Sequence, residues 1–110
     1  EGFRRDFIHV RDTIRINLHF LESGTSGIYN AGTGKARSFT EIAEILKQLH
    51  GSGDIQTIPF PENLSGKYQE FTQASTDALH RAGYVEEFLS LEEGIRLYYN
   101  QLSESRGYHV

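Results

Sequence analysis

The chain has 110 residues and a formal net charge of −4, from 11 basic and 15 acidic side chains. This length allows one domain at most, with one modest core, and the acidic balance disfavours broad electrostatic contact with nucleic acid. No apolar run approaches the roughly 20 residues of a membrane span, and the absence of cysteine excludes disulfides and thiolate metal sites. We therefore expect a cytoplasmic protein that binds neither nucleic acid nor membranes.

The first quarter of the chain predicts a strand followed by a helix. Residues 7–10 are aromatic and β-branched, which favours a strand. Apolar residues then recur at helical spacing and predict a helix from about residue 12 to 23, with Asp12 as its N-cap and Gly24 at its end. The apolar stripe of this helix consists of Ile14, Leu18 and Leu21, widened by Ile16 and Phe20.

The next segments alternate in the same way. Residues 27–31 predict a second strand, followed by a glycine-rich loop. Ser38 and Glu41 have the spacing of a capping box, which predicts a helix that ends at Gly51. Residues 55–58 predict a short strand that ends at a proline.

The second half of the chain is less regular. Residues 59–72 are rich in turn-forming residues, which is typical of a functional or mobile loop. A short helix is predicted at about residues 75–82, and a second capping box at Ser90 and Glu93 predicts a last helix. The order of elements indicates an α/β fold, with parallel crossovers between strands.

The glycine loop, Gly32-Thr33-Gly34-Lys35, lies between a predicted strand and a predicted helix, as many phosphate-binding loops do. A dinucleotide fingerprint would need a third glycine where Arg37 stands, and a Walker loop would need Ser or Thr after the lysine. We interpret the loop as a tight turn whose glycines permit positive φ, or as a point where the backbone closely approaches a partner domain.

Two polar clusters have both a binding and a structural interpretation. Arg5 could hold a diphosphate through bidentate hydrogen bonds, or form an exposed pair with Asp6. Tyr68, which follows Lys67, could contact a base or sugar, or pack on the core. The five histidines show no metal-ligand spacing, and no complete catalytic set is present. The residues alone therefore predict neither a metal nor a catalytic residue.

Three strings resemble one enzyme family. Residues 5–12 (RDFIHVRD) and 27–34 (GIYNAGTG) resemble segments of the extended short-chain dehydrogenase/reductases that act on nucleotide sugars. Residues 58–74 carry IPFPE, then Leu64, GKYQ and FTQA. This third string is similar to the ADP-L-glycero-D-manno-heptose 6-epimerases of bacterial lipopolysaccharide core synthesis. The similarity extends from about residue 3 to 102 without gaps.

The resemblance implies that residues 1–102 are the C-terminal, substrate-binding region of such an epimerase, with a Rossmann-type α/β fold. Residues 103–110 are polar in composition and predict a tail. The resemblance implies that Arg5 and Tyr68 contact the ADP-sugar. It also implies that NADP takes hydride from C6 of the heptose and returns it to the other face. The residues that bind NADP and transfer protons would then lie upstream of Glu1, so we expect the isolated chain to be inactive.

The sequence contains no methionine, and we expect it to be a piece of a longer protein. Loss of a neighbouring half would leave apolar surface uncovered, so we also expect the isolated piece to self-associate into a homo-oligomer or to rearrange its packing. Two other functions stay open. One is another nucleotide-sugar epimerase or dehydratase of the same family, and the other is an interaction domain without catalysis.

Overall fold

The computed structural model of the chain describes residues 2–56, 58–59, 61–64, 66 and 69–104. Within these residues it contains two strands and four α-helices, in the order β1 (Arg4–Asp6), α1 (Val10–Ser23), β2 (Ala36–Ser38), α2 (Phe39–His50), α3 (Asp77–Arg81) and α4 (Leu91–Glu104). A 3₁₀ turn at Glu62–Leu64 precedes α3. This combination agrees with the α/β class predicted from the sequence, but β1 and β2 pair antiparallel, so the predicted parallel crossovers are wrong for the described sheet. Of the predicted polar tail, residues 103 and 104 belong to α4, and residues 105–110 lie outside the described part.

Helix α1 begins two residues earlier than predicted. Its N-cap is His9, whose Nδ1 accepts the backbone N–H of Arg11 at 3.0 Å, so the prediction of Asp12 as N-cap is wrong. Asp12 is instead fully buried, and its Oδ2 accepts the N–H of Leu89 at 2.8 Å, which ties the helix to the segment before α4. Gly24 ends the helix with a φ of 67°, as predicted.

Helix α1 has two apolar faces, of which one is covered. Ile16 is 5% exposed, and Phe20 packs beside it. The other members of the predicted stripe, Ile14, Leu18 and Leu21, lie on a face that the described residues leave open. This exposed face of α1 consists of Val10, Ile14, Leu18 and Leu21, which are 63%, 52%, 50% and 79% exposed.

Strand β1 is the centre of a small sheet. It pairs antiparallel with β2, with Arg5 opposite Arg37. On its other side the Arg4 N–H donates to the Glu70 carbonyl at 2.8 Å, and the Thr72 N–H donates to the Arg4 carbonyl at 3.1 Å. Arg4 and Phe71 thereby form a single parallel bridge.

The predicted strands are mostly wrong. Residues 7–10 form the entry to α1, and residues 27–31 form no strand, because neither segment has a backbone ladder partner in the described chain. Residues 55, 56 and 58 also form no strand, and Thr57 lies outside the described residues. Both observed strands lie elsewhere, at positions where the sequence pattern predicts none.

The two predicted capping boxes are confirmed, as is the end of α2 at Gly51. Ser38 Oγ accepts the Glu41 N–H at 3.1 Å, and a Glu41 carboxylate oxygen accepts the Ser38 N–H at 3.0 Å. Ser90 Oγ accepts the N–H of Glu93 at 3.1 Å at the start of α4. Gly51 ends α2 with a φ of 82°. Helices α2 and α4 pack against each other.

The core of the described residues is small. Ile16, Leu79 and Tyr84 are its buried apolar side chains. Partly buried side chains pack around them, namely Ile8, Phe20, Tyr29 and Phe88. In the part of the chain that the structure describes, no helix combines the length and apolar character needed to cross a membrane.

Candidate functional site

Arg5 lies on β1, where alternate side chains point to opposite faces of the strand. Arg4 is exposed, whereas Arg5 is half-buried. The Arg5 guanidinium donates from Nη2 to the Gln69 carbonyl at 2.8 Å and from Nη1 to Gln69 Oε1 at 3.3 Å. A side chain predicted to bind a diphosphate is therefore held against the end of the irregular loop.

The segment 69–74 is attached to β1 at several points. Gln69 receives the Arg5 guanidinium, and Glu70 and Thr72 hydrogen-bond to the backbone of Arg4. At 3.4 Å, Thr72 Oγ1 also accepts the N–H of Asp6. These contacts fix the end of the irregular loop in register with the strand that carries Arg5.

Tyr68, the second residue predicted to contact the substrate, lies outside the described residues, as does its neighbour Lys67. The described residue that follows Tyr68 in the chain is Gln69, which Arg5 contacts. The role of Tyr68 therefore stays a prediction from the sequence.

The glycine loop binds a carboxylate of its own chain. The N–H and Oγ1 of Thr33 donate to Asp6 Oδ1 at 2.9 and 2.6 Å, and the N–H of Gly34 donates to Asp6 Oδ2 at 2.8 Å. The N–H of Ala74 donates to the same Oδ2 at 3.0 Å. Gly34 has a φ of 80°, which confirms the tight turn.

The hydrogen bonds between Asp6 and the glycine loop decide whether this loop could bind the nicotinamide cofactor expected from the resemblance. A dinucleotide diphosphate at a glycine loop needs free backbone N–H donors, and those of Thr33 and Gly34 already donate to Asp6. The described residues of this loop therefore do not fit the diphosphate of a nicotinamide dinucleotide.

Asp6 is the residue of this region that the sequence interpretation missed. Partial burial alone would raise the pKa of the Asp6 carboxyl, but its hydrogen bonds outweigh that effect and lower the pKa below its usual value. The carboxylate is therefore charged at neutral pH. The sequence contains both halves of the contact, an aspartate after two arginines and a glycine turn, but 27 residues separate Asp6 from Thr33.

Two cavities of the described residues lie away from Arg5. One of about 420 Å³ lies between residues 7–10 and α4 and is lined mainly by apolar side chains. Another of about 470 Å³ lies beside β2 and the segment 85–91. Arg5 lines neither of them. Among the described residues no three His, Asp or Glu side chains are grouped in a way that could hold a metal ion.

Comparison with known proteins gives a fold but no family model. No protein-family model matches the chain. The structure is similar to part of TunA, an NAD-dependent NDP-hexosamine 5,6-dehydratase involved in tunicamycin biosynthesis, with a TM-score of 0.77 and 22% sequence identity. The similarity covers 94% of this chain and 33% of the TunA chain. The chain therefore has the fold of about one third of that enzyme, which supports the α/β class.

Proposed function

We propose that this chain is the substrate-binding part of a nicotinamide-dependent enzyme that modifies a nucleoside-diphosphate sugar, and that Arg5 holds the diphosphate. The observation that carries the proposal is the guanidinium of Arg5, fixed on Gln69 at the end of the loop with the most specific sequence resemblance. Guanidinium donors match diphosphate oxygens in geometry and charge. A structurally similar enzyme, TunA, is described as acting on an NDP-hexosamine, which supports the same substrate class.

The specific reaction that we propose is inversion at C6 of an ADP-heptose. Its support is the string at residues 58–74, because the strings at residues 5–12 and 27–34 are equally compatible with related epimerases and dehydratases. In this proposal Arg5, with Tyr68, holds the ADP-sugar for the reaction. Another epimerase or dehydratase of nucleotide sugars is the second candidate, and the likeness to a dehydratase favours it.

The cofactor would be bound mainly by residues outside this chain. The family resemblance implies NADP, and TunA is described as NAD-dependent. When bound, the nicotinamide would supply hydride chemistry at the sugar carbon. Since the glycine loop of this chain is occupied by Asp6, we propose for these residues a role in binding and orienting the sugar nucleotide. The isolated chain is then expected to catalyse no epimerisation.

The exposed face of α1 supports the proposal that this chain is part of a larger enzyme. Four apolar side chains along one side of a helix are at least half exposed, and Ile28 is 98% exposed. Apolar surface of this kind normally contacts a partner. TunA is about three times as long as the part matched here, and we propose that a further domain of the enzyme covers this face.

Calorimetric titration tests the proposed function. The polypeptide expressed from its own gene is titrated with an ADP-sugar, a UDP-sugar and a free hexose as control. We expect binding of a nucleoside-diphosphate sugar and no binding of the free hexose. Preference for the ADP-sugar, with conversion of ADP-D-glycero-D-manno-heptose, supports the heptose epimerase, and preference for the UDP-sugar supports the second candidate. Binding of neither nucleotide contradicts the proposal.

A further inference from the structure

Asp6 joins three parts of the chain that are distant in sequence. Its backbone belongs to β1, its Oδ1 binds Thr33, and its Oδ2 binds both Gly34 and Ala74. The segment 69–74 is therefore held near both of its ends. Gln69 is fixed by the Arg5 guanidinium, and Ala74 is fixed by the Asp6 carboxylate.

We propose that Asp6 is a positioning residue for nucleoside-diphosphate binding, because its carboxylate holds the segment 69–74 in the register that orients the Arg5 guanidinium. This inference rests on the proposed function. Because the segment is already ordered in the free protein, ordering it costs little free energy when a ligand binds. Without the carboxylate, Ala74 and the glycine loop lose their common acceptor, and the loop contact of Arg5 loses its support.

The chemistry of the site requires a carboxylate at this position. Four donor groups converge on two oxygens, and each oxygen accepts two hydrogen bonds. An asparagine would turn an NH₂ group toward at least one backbone N–H, so that two donors would face each other. The backbone also packs closely around the Asp6 carboxylate, since a Cβ on Gly32 would lie 2.8 Å from Asp6 Oδ2.

A residue that only stabilised the fold would behave differently from a positioning residue. Well below the unfolding temperature, a purely stabilising residue leaves the affinity of the folded protein unchanged. A positioning residue acts through Arg5, so the effects of changing both residues on affinity are not additive. A double-mutant cycle on ligand affinity therefore separates the two roles.

The experiment uses ADP as the probe and the polypeptide expressed from its own gene. Dissociation constants are measured at neutral pH for the parent, Asp6→Asn, Arg5→Ala and the double variant. Asp54→Asn, which removes a carboxylate from an exposed turn, is the matched control. We expect Asp6→Asn to weaken ADP binding by about 10-fold or more, the double variant to be little weaker than Arg5→Ala, and the control to bind like the parent.

A milder variant and a second measurement keep the proposal testable if Asp6→Asn does not fold. Thr33→Val removes one donor to Asp6 and is expected to weaken ADP binding less, with the same non-additivity toward Arg5→Ala. Hydrogen exchange is expected to be faster at the amides of Gly34 and Ala74 in Asp6→Asn. Additive losses, or an unchanged affinity in a folded variant of a parent that binds ADP, overturn the role of Asp6 alone. A parent that binds no nucleoside diphosphate overturns the proposed function as well.

Discussion

Gly32 occupies a point where the chain has no room for a side chain. A Cβ at this position would lie 2.6 Å from the Cβ of Ala74 and 2.8 Å from Asp6 Oδ2. We expect Gly32→Ala to lower the free energy of unfolding by about 1–3 kcal/mol, because the segment at Ala74 must shift away from the carboxylate. Urea denaturation followed by circular dichroism measures this change.

The matched control for this substitution is Gly94→Ala in α4. A Cβ at Gly94 would meet His9 at 3.5 Å, an ordinary van der Waals distance. Alanine is the better helix former, so the control is expected to raise the free energy of unfolding by about 0.5–1 kcal/mol. If both alanine variants had the same stability, the predicted steric clash of a side chain at Gly32 would be contradicted.

The acid sensitivity of the fold depends in part on Asp6. Its pKa in the folded protein is below the usual value of 3.8, so its charged form is stabilised by folding. This contribution is present above the unfolded pKa and is lost as the pH falls through the folded pKa. We expect the difference in free energy of unfolding between the parent and Asp6→Asn to be large at pH 7 and to shrink toward pH 3. Because the other carboxyls titrate in both proteins, a difference that stays constant with pH would contradict the lowered pKa.

At the scale of elements, the helices follow from local sequence. The capping box at the start of α2 involves Ser38 and Glu41. We expect Ser38→Ala to lower the free energy of unfolding by about 1 kcal/mol, because the N–H of Glu41 loses its acceptor. Ser52→Ala, in the exposed turn after α2, is the control and is expected to be neutral. Chemical denaturation of both variants tests the cap, and equal stabilities would contradict it.

Helices could be predicted from the sequence because their hydrogen bonds, caps and apolar spacing lie within a few residues of each other. Strands could not, because a strand forms only where a second segment supplies backbone partners. Residues 27–31 have β-branched and aromatic composition but no partner in the described chain, whereas β1 at Arg4–Asp6 is charged and pairs on both sides.

In the candidate site, too, local features could be predicted from the sequence and contacts between distant residues could not. Arg5 could be singled out from its residue type and the family resemblance. The role of Asp6 could not, because its partners are 27, 28 and 68 residues away in the sequence. The burial of Asp12 could not be predicted for the same reason, since its partner Leu89 is 77 residues away.

As a whole, the molecule is flat. Its radius of gyration is 16.6 Å and its extents are 47 × 39 × 20 Å, whereas a compact domain of this length would have a radius of gyration of about 13 Å. Because the shape is open, few apolar side chains of the described residues are buried. For the same reason one face of α1 is exposed. The proposed packing of this chain against a further domain would account for both features.

The isolated chain is therefore expected to self-associate through the exposed face of α1. Leu21, at 79% exposure, is the most exposed member of that face. We expect Leu21→Glu to reduce the mass measured by light scattering at high concentration, because a charge cannot be buried between apolar faces without a partner. Ser23→Glu adds the same charge beside the face and is the control. A strictly monomeric parent at all concentrations would contradict this expectation.

The central claim is that Arg5 holds the diphosphate of a sugar nucleotide, and one comparison tests it most directly. The dissociation constant for ADP is measured by calorimetry for the parent, Arg5→Ala and Arg4→Ala, which removes the same charge from the exposed face of the same strand. We expect Arg5→Ala to weaken ADP binding by about 10- to 100-fold, the loss of a charge-assisted hydrogen bond, and Arg4→Ala to leave it nearly unchanged. Equal affinities of Arg5→Ala and the parent would contradict the claim.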